Sequence, residues 1–97
     1  MPMNNNQRTI KQAIDELLKT YQLDGKMAEL KLINSWEKIM GGMISKHTTD
    51  IFIRNKYLFV KLDSAALRQE LSYGKEKIVK MLNDAAGGHV IEQIVFQ

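Results

Sequence analysis

The chain has 97 residues, of which 44% are apolar and 26% charged, with a net charge of +3 and no cysteine. That describes one small folded domain and excludes disorder, disulfides and thiolate metal sites. No apolar run is long enough to span a membrane or to form the core of a signal peptide, so a cytoplasmic location is expected, and the mild positive charge permits nucleic-acid contact without demanding it.

Residues 1–7 are polar and Asn-rich and read as a flexible N-terminal arm; residues 8–97 read as a single domain. Thr9 and Gln12 have capping-box spacing. Ile10, Ala13, Ile14, Leu17, Leu18 and Tyr21 then recur on one side of a 3.6-residue wheel, which predicts a helix over residues 8–21. Leu23-Asp24-Gly25 breaks it, and Asp24 is available to cap the next helix.

The second helix is expected from Lys26 to His47. Leu32, Ile33, Trp36, Ile39, Met40, Met43, Ile44 and His47 share one face; Ser35, Lys38, Gly42, Ser45 and Lys46 fall opposite. The phase holds across Gly41-Gly42, so the helix is predicted to continue through them. Two helical glycines cost roughly 1.5–2 kcal/mol relative to alanines. Their expected role is to let something pack closely on the backbone, or to allow a bend. Trp36, the sole tryptophan, lies at an apolar helical position and is expected in the core; the alternative is a partner anchor at the surface.

After His47-Thr48 the period changes from 3.6 to 2. A two-residue turn at Asn55-Lys56 would pair Ile53 with Leu58 and Ile51 with Val60 on one face. On the other face it would pair Phe52 with Phe59, Arg54 with Tyr57, and Asp50 with Lys61. Lysine where glycine is preferred weakens a type I′ turn, with a slightly longer loop in the same register as the alternative.

Asp63-Ser64 offers a cap, and Leu67, Leu71, Gly74, Ile78, Leu82 and Ala85 then keep helical phase. One long helix or two helices bent at Tyr73-Gly74 both satisfy that spacing. Gly87-Gly88 stops it. Residues 89–96 are apolar and β-branched and are expected to form a last strand, with Ile94 and Phe96 inward. The order is α-α-β-β-α(-α)-β: an α+β, two-layer sandwich with helices on one face of a three-stranded mixed sheet.

No P-loop, dinucleotide turn, HExxH or nucleophile elbow is present. His47, Asp50 and His89 are the one candidate acid–base or metal group, and no motif holds them together. His47 reads instead as a histidine hydrogen-bonding at the helix–strand junction. No catalytic residue, metal or cofactor is therefore expected. The outer sheet face is more telling. Phe52, Tyr57 and Phe59, with Arg54 and Lys61, combine aromatics and cations as single-strand binders do; a covering helix or a protein contact would use the same residues. Arg68, Lys75, Lys77 and Lys80 give the third helical region a basic side suited to phosphate, diluted by Glu70, Glu76 and Asp84.

Trp36-x-x-Ile39-Met40-Gly41, then Ile44, His47-Thr48, Leu58-x-Val60, Ser64, Leu71 and finally Ile91-x-x-Ile94-x-Phe96 resembles the DciA family. These are bacterial proteins regarded as operators or loaders of the replicative DnaB-type helicase. The resemblance runs from the first helix to Phe96 and implies a KH-like domain, whose type II form has the α-β-β-α-α-β part of this order. Two departures stand out. Where a nucleic-acid-clamping KH domain carries GxxG, this chain reads Tyr73-Gly74-Lys75-Glu76-Lys77. Longer family members extend into a flexible tail that engages the helicase, whereas this sequence stops at Gln97; docking would then rest on the folded domain or on residues 1–7. The resemblance thus implies a non-enzymatic adaptor in DNA replication that binds the replicative helicase and assists its loading. Weak, non-specific single-stranded DNA binding would accompany that role, with no small-molecule substrate and no membrane. The alternative is a KH-like RNA-binding module with no helicase partner.

Overall fold

The computed structural model describes residues 9–20 and 24–97, with the side chains of 9–16 and 25–97. The first helix, α1 (Ile10–Thr20), opens on a complete capping box. The Thr9 hydroxyl oxygen accepts from the Gln12 N–H and the Gln12 side-chain oxygen accepts from the Thr9 N–H, both at 3.0 Å. The described part of its stripe, however, is not in the core: Ile10 is 80% and Ile14 48% exposed. The expected arm over 1–7, the rest of the stripe and the Asp24 cap lie outside the described residues or side chains.

The expected second helix is three helices: α2 (Asp24–Asn34), α3 (Trp36–Met40) and α4 (Gly42–Lys46). The first break is at Ser35, whose hydroxyl turns back to donate to the Lys31 carbonyl at 2.8 Å. The second is Gly41, at φ 91°, ψ 165°, a region only glycine occupies without strain. A β-carbon built on Gly41 or Gly42 would meet nothing within 4 Å. The glycines therefore serve a bend, not a close approach. Helical phase survives because each break is a single residue, and Leu32 and Trp36 still point into the core.

The hairpin follows the alternation residue by residue. Strands β1 (Thr48–Arg54) and β2 (Tyr57–Leu62) pair antiparallel, with Ile53 opposite Leu58, Ile51 opposite Val60, Phe52 opposite Phe59, Arg54 opposite Tyr57 and Asp50 opposite Lys61. Asn55 (φ 53°) and Lys56 (φ 66°) both take left-handed conformations, so the turn is the two-residue type I′ form despite the lysine.

Ser64 caps α5 (Ala65–Ser72), accepting from the Leu67 N–H at 3.2 Å. The chain then bends at Tyr73-Gly74 into α6 (Lys75–Ala86), so the third helical region is two helices. Gly87, left-handed at φ 87°, ends α6 as the glycine pair requires. The last strand, β3 (Gln93–Phe96), begins four residues later than the β-branched run suggests. It pairs parallel with β2, Leu58 opposite Ile94 and Val60 opposite Phe96, which makes the sheet mixed in the order β1-β2-β3.

Leu58, Val60, Leu62 and Ile94 from the sheet meet Leu32, Trp36, Leu71, Ile78, Leu82 and Ile91 in one buried cluster. The other sheet face contributes nothing to it. The architecture is an α+β two-layer sandwich with the helices on one face.

Candidate functional site

The uncovered sheet face follows from strand alternation. Phe52, Phe59 and Val95 stand in one row across the three strands, and Arg54, Tyr57 and Gln93 in the next. All three aromatic residues are half-buried, although none of them belongs to the core cluster or packs against it. They cover each other. Phe52 and Phe59 stack with centroids 5.0 Å apart at 15°, and Tyr57 continues the column 6.5 Å from Phe59. The Arg54 guanidinium lies over the Phe52 ring, 5.7 Å from its centroid. Phe52 and Phe59 thus each have a stacked neighbour within the sheet face itself. Lys61 sits exposed beyond the column, opposite Asp50.

The basic side divides into three kinds of residue. The Arg68 guanidinium donates to the Leu62 carbonyl at 2.7 Å and ties α5 to the end of β2, so it is half-buried structural material. Lys80 reaches Asp84 at 3.4 Å, one turn on. Lys75 and Lys77, at the start of α6, are exposed, and neither is held in an ion pair among the described residues. With Tyr73, Glu76, Glu92, Gln93 and Ile94 they line an open groove of about 850 Å³ between the α5–α6 turn and β3. Gln93 belongs to both surfaces, so groove and aromatic face meet at β3.

The junction residues have structural work. The buried Trp36 indole N–H donates to the Thr48 hydroxyl oxygen at 3.0 Å, and that hydroxyl donates to the Ile44 carbonyl at 2.8 Å. His47 Nδ1 lies 2.7 Å from Asp63 Oδ1, while the Asp63 N–H donates to the His47 carbonyl at 3.0 Å. Helix α4 and the β2–α5 connection are thereby pinned together. Asp50 is spent elsewhere, accepting the N–H of Ile51 at 2.9 Å. His47, Asp50 and His89 do not form a metal-holding group; among the described residues no cluster of three His, Cys, Asp or Glu does.

Two contributors escaped sequence reasoning. Asn83 holds the 89–92 segment: its Oδ1 accepts from the N–H groups of Val90 and Ile91 at 3.0 Å each, and its Nδ2 donates to the Ile91 carbonyl at 2.9 Å. An asparagine one turn before a glycine pair was the available signal. Tyr73, 75% exposed at the groove rim, was visible only as part of a turn. Among the described residues no helix is long and apolar enough to cross a membrane.

Comparison with known proteins gives two matches. The family model described as Dna[CI] antecedent, DciA, matches residues 9–96, which takes in every described element. A UPF0232 protein of Corynebacterium glutamicum (strain R) is 28% identical over 61 residues, 63% of this chain and 34% of that relative. The chain thus spans about a third of the length of the curated relative it matches. No solved structure matches it.

Proposed function

Because the chain belongs to the DciA family, we propose that it is a non-enzymatic, KH-like adaptor in DNA replication that binds the replicative DnaB-type helicase and assists its loading. The observation that carries this reading is the family match over residues 9–96, which leaves no described element outside it. Weak, non-specific contact with single-stranded DNA accompanies the role. Lys75 and Lys77 are its first candidates, since they are exposed cations without an ion-pair partner among the described residues. Arg54 and Lys61 come next, and Arg68 and Lys80, already engaged, contribute less. With Phe52 and Phe59 facing each other, stacking of bases on the sheet is secondary to phosphate contact.

Surface plasmon resonance of the chain against the folded cognate helicase tests the reading. A small footprint implies modest affinity, on the order of micromolar. Charge reversal at Lys75 and Lys77 weakens binding chiefly through the association rate, and more at low salt than at high. Absence of binding at helicase concentrations well above that range transfers the reading to a KH-like RNA-binding module without a helicase partner.

A further inference from the structure

The two edges of the sheet are unlike. In β1, the turn geometry makes Arg54 and Tyr57 a hydrogen-bonded pair, so Phe52 and Asp50 also face β2 and the backbone groups of Ile51 and Ile53 point outward. That edge is defended. The Asp50 carboxylate already accepts the Ile51 N–H at 2.9 Å, the register breaks between Thr48 and Asp50, and Arg54 places a charge on the strand.

On β3, the Gln97 N–H donates to the Val60 carbonyl at 2.9 Å and the Gln97 carbonyl accepts from the Leu62 N–H at 2.9 Å, which sets the parallel ladder. Residues 93, 95 and 97 therefore face β2, and the N–H and C=O groups of Ile94 and Phe96 face away from the sheet. This edge has few of the usual protections: Gln93 to Gln97 carries no charged side chain, proline, glycine or bulge. Helices do not roof it, because the groove opens beside Gln93 and Ile94.

We propose that β3 is a self-pairing edge, through which a second copy of this chain adds antiparallel to make a six-stranded sheet across a twofold axis. The strand is self-complementary. With Val95 opposite Val95 of the other copy, Ile94 of each faces Phe96 of the other, and both pairs exchange N–H···O bonds in both directions. The neutral side chains place no like charges opposite one another, since Gln93 meets Gln97. On the uncovered face the row Phe52, Phe59, Val95 becomes continuous between the copies, and the incoming strand covers the exposed Tyr73 at the groove rim. This pairing does not depend on helicase or DNA binding. The contact is short, so association is weak and concentration-dependent.

Sedimentation equilibrium across a wide concentration range, paired with amide hydrogen exchange by NMR and without nucleic acid or helicase, tests it. The expected result is a monomer–dimer equilibrium in which the Ile94 and Phe96 amides gain protection as dimer forms, while the Ile53 amide does not. Q93K/Q97K puts like charges opposite each other twice and weakens association roughly fivefold. Q93K/Q97E puts opposite charges there and restores it. Both positions are exposed, and melting curves check that the fold is kept. A monomer at every concentration overturns the proposal, as does a dimer indifferent to both variants or one that protects Ile53 instead. A monomer whose Ile94 and Phe96 amides shift only on adding a single-stranded oligonucleotide also overturns it, and assigns the edge to nucleic acid.

Discussion

The indole N–H of Trp36 donates to the hydroxyl of Thr48 at 3.0 Å, joining the first residue of α3 to the first residue of β1. The indole is 3% exposed, so this N–H has no water to turn to. Because the same hydroxyl donates onward to Ile44, one threonine fixes the angle at which helix becomes strand. Thr48→Val keeps the shape and removes the acceptor, and is expected to cost about 1–3 kcal/mol, the penalty of a buried donor left unmade. Trp36→Ala is expected to cost about 3–5 kcal/mol. Urea titration measures both; equal, negligible losses would show the indole to be solvated.

The glycine pair separates two roles one residue apart. Gly41 has the positive φ and Gly42 does not. Gly41→Ala forces an L-residue into a strained region and is expected to destabilise by about 1–3 kcal/mol. Gly42→Ala enters a helix with nothing within 4 Å of its new methyl, and is expected to stabilise by about 0.5–1 kcal/mol. Thermal melts of the two variants should move in opposite directions.

Asn83 supplies three hydrogen bonds to a two-residue segment. Asn83→Ala is expected to cost about 2–3 kcal/mol and to raise the exchange rates of the Val90 and Ile91 amides before those of the strands. Hydrogen exchange read residue by residue distinguishes this local loosening from a general loss of stability.

For nucleic acid, the engagement of the side chains sets the order of effects. Reversing Lys75 and Lys77 together is expected to weaken binding of a labelled single strand more than Arg68→Ala or Lys80→Ala, and to lower the salt slope by about 1–1.5, roughly 0.7 per single-strand phosphate contact. Phe59→Ala is expected to have the smaller effect, because its ring already stacks on Phe52, with centroids 5.0 Å apart. Fluorescence anisotropy at two salt concentrations reads both. A loss for Phe59→Ala near 1–3 kcal/mol, with indifference to the lysines, would make the sheet a stacking platform instead.

How much of this was legible varies with the kind of signal. The hairpin could be read in full register because a period of two assigns every side chain to a face and a one-residue slip would misplace all of them. The helix breaks could not, since Ser35 and Gly41 each interrupt the backbone without shifting the apolar phase. Val90 and Ile91 imitated strand because they are β-branched, but β3 can begin only where β2 has a residue to pair, at Tyr57 opposite Gln93. Their backbone goes to Asn83 instead, a contact across seven or eight residues that no periodicity records. At the candidate site, counting cations named Arg54, Lys61, Arg68, Lys75, Lys77 and Lys80 alike. It could not tell that Arg68 is committed to the Leu62 carbonyl while Lys75 and Lys77 remain available.

The parallel pairing of β3 with β2 also dictates a timetable. Val60 and Phe96 are partners across most of the second half of the chain, so the core cannot close until the last strand has left the ribosome. Until then the nascent hairpin carries Leu58 and Val60 on a central strand with one side unpaired, which is the stage most exposed to wrong association. The tight turn at Asn55-Lys56 lets the hairpin form early and in register, and it must then wait for the docking of its third strand. Closure of the core therefore waits for β3, and truncations removing Gln93–Phe96 should yield aggregation rather than a smaller stable domain.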